Sequence, residues 1–144
     1  MKSEKRFSDY ASERFEKEGW RMSAGVRNIC EILESHENFL SQKEIANILQ
    51  DMGKAVDYTT IYRILRKLQS LKLVHEFDQK WHRENEPANP LHGHFLICEE
   101  TGYAEEIYLD YFNAIAKQLA KEKGFVLKSV KMAFFGQSDP KRRG

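Results

Sequence analysis

The sequence predicts an α+β chain in two parts: amphipathic helices leading into a β-hairpin, then a small module of short strands around one helix. Three observations carry that prediction. Before residue 72, apolar side chains recur at i, i+3, i+4 and i+7 in separate stretches, the period of helices with one buried face. Between 73 and 83 this gives way to short β-type runs about a polar turn. Pro87 and Pro90, with Asn85 and Asn89, then punctuate the chain before the second set of strands.

Residues 7–19 have helical composition and stop at Gly19, a residue suited to the left-handed position after a helix. A second helix is expected over about 25–35, with Val26, Ile29, Cys30 and Leu33 on one face. Ser41 and Glu44 form a capping box ahead of Ile45, Ile48, Leu49 and Met52, and Gly53 closes that helix. A fourth helix should start near Asp57 or Thr59 and reach about Leu71, burying Ile61, Ile64 or Leu65, Leu68 and Leu71. Leu73–Phe77, the turn at Asp78-Gln79-Lys80 and the run from Trp81 read as a hairpin. Beyond the prolines come a strand at His94–Cys98, a turn at Glu99–Gly102 and a strand at Tyr103–Tyr108. A helix over about 109–123 follows, with Leu109, Phe112, Ile115, Ala116 and Leu119 buried and Gly124 as its stop. Phe125–Phe135 reads as a final strand region. Helix, helix, helix, hairpin is the order of a winged helix-turn-helix.

At 144 residues the length suits one domain or two small ones, and 41% hydrophobic with 31% charged residues is a globular composition. The net charge of +1 names no partner, but the charge is unevenly placed. Arg63, Arg66, Lys67 and Lys72 lie in one segment, and Glu99, Glu100, Glu105, Glu106 and Asp110 in another. No apolar run approaches the roughly 18–20 residues of a membrane span, and the charged N-terminus lacks the apolar core of a signal peptide. With only Cys30 and Cys98, one chain can build neither a disulfide scaffold nor a four-cysteine zinc site. The expectation is a reduced, cytoplasmic protein with no membrane partner.

The helix before the hairpin carries the first functional signal. Thr59, Tyr62, Arg63, Arg66 and Lys67 share the face opposite its apolar stripe. A helix in a DNA major groove needs short polar and aromatic groups for base edges and flanking cations for phosphates, and this face supplies both. The plainer alternative is a solvated basic face. The second signal is histidine: His75, His82, His92 and His94 fall within twenty residues, with only His36 elsewhere. On an extended chain His92 and His94 project from one side and could chelate one ion. Glu84 or Glu86, and Glu105 or Glu106, could add oxygen ligands. Imidazole with carboxylate suits zinc, ferrous iron or manganese. An isolated His-x-His is also ordinary surface sequence, and a metal-free pH switch is a further alternative. Cys30 and Cys98 read as buried small residues, His82 as hairpin surface, and His36 as a partner of a helix C-terminus.

Together these residues resemble the ferric-uptake-regulator family of bacterial metal-dependent transcription factors. Tyr58-Thr-Thr-Ile-Tyr-Arg63 with Leu65 and Leu68 is similar to that family's recognition-helix signature, and Arg21-Met22-Ser23 with Arg27 to its N-terminal pattern. His92-Gly-His-Phe-Leu-Ile-Cys98 with Gly102 and Glu106 resembles its metal-binding and dimerisation segment, and Lys123–Gly136 its end. The zinc-responsive branch is nearest, through Val74-His75.

The resemblance implies a homodimer on double-stranded DNA, each winged helix reading half of a palindromic operator. A divalent metal between the domains, zinc first and Fe2+ or Mn2+ next, would set the spacing of the readers. It assigns 1–84 to DNA binding, 85–91 to a hinge, 92–136 to α/β dimerisation and metal sensing, and 137–144 to a basic tail. Tyr62 would meet bases and Arg63 the backbone; Thr59, Arg66 and Lys67 are added from helix geometry. The implied metal ligands are His75, Glu86 or Glu84, His92 or His94 (both are candidates), and Glu106; a hairpin register closing at 98/103 would instead put Glu105 beside His92 and His94. The family's second strand cysteine and its C-terminal pair are missing, so no four-cysteine structural zinc is expected. The expected function is a metal-responsive regulator, most simply a repressor, and not an enzyme. The alternatives are a metal-independent or redox-responsive winged-helix regulator with a degenerate sensor, and a small metal-dependent hydrolase using His92 and His94, for which no nucleophile or phosphate-cradling loop is evident.

Overall fold

The computed structural model describes residues 5–85 and 93–139. The chain divides into two compact units, Met1–Pro87 and Ala88–Gly144. Glu86, His92, most of the expected hinge and the tail from residue 140 lie outside the described residues.

The first unit holds α1 (Phe7–Lys17), α2 (Ala24–Ser35), β1 (Leu40–Ser41), α3 (Gln42–Asp51), α4 (Tyr58–Ser70), β2 (Val74–Phe77) and β3 (Lys80–Arg83). Each helix boundary has a local cause. Gly19 and Gly53 take left-handed φ values of 72° and 70° where α1 and α3 end. Ser23 caps α2 by accepting from the Val26 N–H, and Ser41 and Glu44 form the reciprocal box that opens α3. The helical stripes meet in one core that includes Phe15, Ile29, Leu33, Ile45, Leu49, Ile61, Leu65 and Leu68. Gly25 lets α2 approach α4, since a Cβ there would lie 3.3 Å from Ile64 Cδ1.

The hairpin forms a small antiparallel sheet in the order β1-β3-β2. Leu40 pairs with Trp81, and His75 with His82. Arg83 fastens this sheet to the end of α2, donating from Nη1 to the carbonyls of Leu33 (2.9 Å) and His36 (2.6 Å). A cation at a helix C-terminus also complements the carbonyls exposed there. Near the same end of α2, Ser8 and Arg6 bind Glu34 and fix α1 onto α2. Burial works against the Glu34 charge, but those hydrogen bonds prevail and hold its carboxyl below the usual range.

The second unit holds β4 (His94–Cys98), β5 (Ala104–Ile107), α5 (Asp110–Lys123) and β6 (Met132–Gly136), with the sheet ordered β5-β4-β6. Gly124, at φ 73°, ends α5. Two expectations are corrected here. The last strand covers 132–136 rather than 125–135, because β6 runs parallel to β4 and has only that strand's five residues to pair with. Ile115 and Leu119 are 57% and 53% exposed rather than buried. The inward stripe of α5 is instead Phe112, Asn113, Ala116 and Ala120. No helix among the described residues is long and apolar enough to cross a membrane.

Candidate functional site

Helix α4 is amphipathic. Its apolar stripe of Ile61, Ile64, Leu65 and Leu68 is buried, which turns Thr59, Tyr62, Arg63, Arg66 and Lys67 outward. Its start is fixed from α3, where Gln42 Nε2 donates to the Tyr58 carbonyl at 2.7 Å. The five outward residues have different surroundings. Arg63 makes no hydrogen bond or ion pair among the described residues. The Arg66 guanidinium lies 5.9 Å from the Tyr62 ring centroid, and its Nη1 donates to Gln69 Oε1 at 2.8 Å. The Lys67 ammonium lies 4.9 Å from the Trp20 ring and 6.0 Å from that of Phe15, so it braces α4 against the α1 region.

His75 is the second residue of β2, five residues beyond the end of α4. Its Nε2 contacts Oε2 of Glu84, the residue that follows β3. Backbone pairing explains the meeting: β2 and β3 are in register from Val74–Arg83 to Phe77–Lys80, and the Glu84 N–H donates to the Leu73 carbonyl at 2.8 Å. Both side chains are buried, at 3% and 6% exposure. An imidazole nitrogen against a carboxylate oxygen, shielded from water, is a donor pair that fits zinc, ferrous iron or manganese. Bound there, a divalent cation would supply charge and directional ligand bonds in place of a bare contact. Between the two acids left open by the sequence, this contact favours Glu84.

His82 corrects the surface expectation. It is 4% exposed, stacks on Phe39 with ring centroids 4.9 Å apart, and its Nδ1 pairs with the Arg83 carbonyl at 2.7 Å. Burial pushes its pKa down to about 4, so it stays neutral at physiological pH. His36 is the C-cap residue of α2, with Nδ1 2.8 Å from the Ile32 carbonyl.

In the second unit, His94 is fully buried at the start of β4, and its Nδ1 accepts the Leu109 N–H at 3.3 Å. The β4–β5 register pairs His94 with Ile107, Phe95 with Glu106, and Leu96 with Glu105. Strand alternation therefore sets Glu105 on the His94 side of the sheet and Glu106 on the Phe95 side. Cys98 and Cys30 are both buried. The Cys98 thiol is held down to about 6, first by the Thr101 side chain and then by backbone of Ser138 and Thr101. Burial pushes Cys30 up to about 12, as expected for a core thiol.

Sequence reasoning missed the clamp made by Arg83 and the contacts of Arg66 with Tyr62 and Gln69. The second was accessible from the i, i+4 and i, i+3 spacings along α4.

The family model described as the Ferric uptake regulator family matches residues 17–135. The chain belongs to that family. Family members are metal-responsive transcription regulators and not enzymes, which sets the hydrolase alternative aside. The ferric uptake regulation protein of Bacillus subtilis (strain 168) is 26% identical over 110 residues, covering 73% of each chain. That of Pseudomonas aeruginosa is 28% identical over 114 residues, covering 77% of this chain and 84% of the relative. The fold is shared with a zinc uptake regulator complexed with zinc and DNA, at a TM-score of 0.74 and 18% identity, over 91% of this chain and 89% of that one. It is also shared with the Vibrio cholerae ferric uptake regulator, at 0.66 and 20%, over 89% and 99%.

Proposed function

We propose that this protein is a metal-switched DNA-binding regulator, acting as a homodimer on a palindromic operator and most simply as a repressor. One observation carries the reading: the buried His75–Glu84 pair sits at the base of the hairpin that directly follows the outward face of α4. An ion taken up by that pair acts on the strand joined to the reading helix by only Leu71, Lys72 and Leu73.

In this reading Tyr62 and Thr59 meet base edges, and Arg63 and Arg66 hold the backbone. Lys67 contributes mainly by bracing α4. Zinc is the proposed ion, with ferrous iron or manganese behind it. His75 and Glu84 are its first ligands, and His92, His94 and Glu106 are the further candidates, with His94 and Glu106 as alternatives to one another because strand register sets them on opposite faces of their sheet. Glu86 and Glu105 are the remaining alternatives. Tenfold regulation requires only about 1.4 kcal/mol of preference for the DNA-competent state, well within the reach of a few ligand bonds.

A zinc titration of chelator-stripped protein against a chromophoric competitor tests the site. The expected result is one tight site per subunit that His75→Ala with Glu84→Ala abolishes. Unchanged stoichiometry and affinity in that double variant would refute the assignment.

A further inference from the structure

Within the DNA-reading role proposed above, on which this inference rests, we propose that Arg66 is a positioning residue for Tyr62. Its guanidinium lies over the phenol ring at the outer reach of a cation–π contact and, hydrogen-bonded to Gln69, sets the direction in which Tyr62 meets a base.

Tyr62 and Arg66 are four residues apart and exposed on the same helix face, with the guanidinium carbon 5.9 Å from the ring centroid. Arg66 has a second partner: its Nη1 donates to Gln69 Oε1 at 2.8 Å one turn further along. Gln69, Arg66 and Tyr62 thus form a run of supports ending at the ring. Tyr62 and Arg66 also line a groove of about 420 Å3, with Gln42 and Lys43 of α3 and Gln79 at the hairpin turn. A tyrosine that projects from a helix without support samples several rotamers and must be ordered when DNA arrives. One already covered by a planar cation arrives closer to its bound direction. The remaining guanidinium nitrogens can still face a phosphate, so positioning and charge are separable by substitution. Lysine keeps the charge but not the planar, forked group.

The test uses the full chain with zinc and a duplex site selected in vitro from a random library. Discrimination is measured as the affinity for that site over single-base variants, across a salt series. Arg66→Lys is expected to lose about three- to fivefold in discrimination, the scale of an exposed cation–π contact, with an unchanged salt slope. Gln69→Ala, which leaves every cation in place, should move in the same direction. In a Tyr62→Ala background, Arg66→Lys should add nothing to the loss. Circular dichroism of each variant confirms that the helix is intact. If Arg66→Lys and Gln69→Ala discriminate as the unaltered protein does, while Arg66→Gln only weakens all sites and flattens the slope, Arg66 acts as a phosphate contact alone and the inference is overturned. If the unaltered protein selects no sequence at all, the DNA-reading role fails and takes this inference with it.

Discussion

Arg63 and Lys67 are cations on neighbouring turns of α4, and their surroundings divide their work. The Lys67 ammonium is held over Trp20 and Phe15, whereas Arg63 makes no hydrogen bond or ion pair among the described residues. Arg63→Ala should therefore weaken binding about equally for every duplex and reduce the magnitude of the salt slope by about one. Tyr62→Phe should instead change which sequences are preferred and leave the slope alone. Fluorescence anisotropy over a salt series reads both, and an unchanged slope for Arg63→Ala would contradict the backbone role. The outward residues were legible because a 3.6-residue period reports which side of a helix is not buried. His82 was not legible. It lies on β3, the central strand of its sheet, where Trp81 on one face and His82 on the other are both covered. The two-residue strand β1, which makes β3 central, is too short to register as a pattern.

At the scale of elements, local chemistry was the most readable. The Ser41–Glu44 box and the stops at Gly19, Gly53 and Gly124 are visible as residue types at fixed offsets, and each stands where the chain changes direction. The hairpin turn is less well suited to its conformation. Asp78 and Gln79 both have positive φ, 53° and 62°, which makes a two-residue loop of the kind that favours Asn-Gly. Gln79 carries a Cβ in the left-handed region, at a cost of about 1 kcal/mol. Its N–H donates to Glu76 Oε2, a bond that glycine retains. Gln79→Gly is thus expected to stabilise the protein by about 0.5–1 kcal/mol, read as a higher urea midpoint at constant m-value. A lower midpoint would show that the side chain supports the turn. The length of β6 was overestimated for a different reason. The apolar run from Phe125 fits a strand, but only five of its neighbours find backbone partners along β4, and pairing partners are not written in local sequence.

For the whole molecule, helical period showed which residues of α5 are apolar but not which chain covers them. Tyr111, Ile115 and Leu119 form an exposed stripe, and Phe125 and Val126 add 74% and 77% exposed side chains beside the end of the same helix. An apolar surface of this kind is costly for a lone chain and is accounted for by the proposed second copy. Ile115→Glu with Leu119→Glu should convert a dimer to a monomer in sedimentation velocity while leaving the helical circular dichroism intact. An unaltered sedimentation coefficient would move the subunit contact elsewhere. The sensing ion was the least legible part of the sequence. Four histidines and several acids allow many ligand sets, and the His75–Glu84 contact depends on hairpin register rather than spacing.

Whether metal at the His75–Glu84 pair changes DNA affinity is read from binding of the in vitro-selected duplex at fixed ionic strength, with zinc and after chelation. At least tenfold tighter binding with zinc is expected of the unaltered protein, about 1.4 kcal/mol. In His75→Ala/Glu84→Ala that zinc effect should disappear, while zinc-independent binding through Tyr62 and Arg63 persists. Equal affinities of the unaltered protein with and without zinc, iron or manganese would contradict a metal switch and leave a constitutive DNA reader.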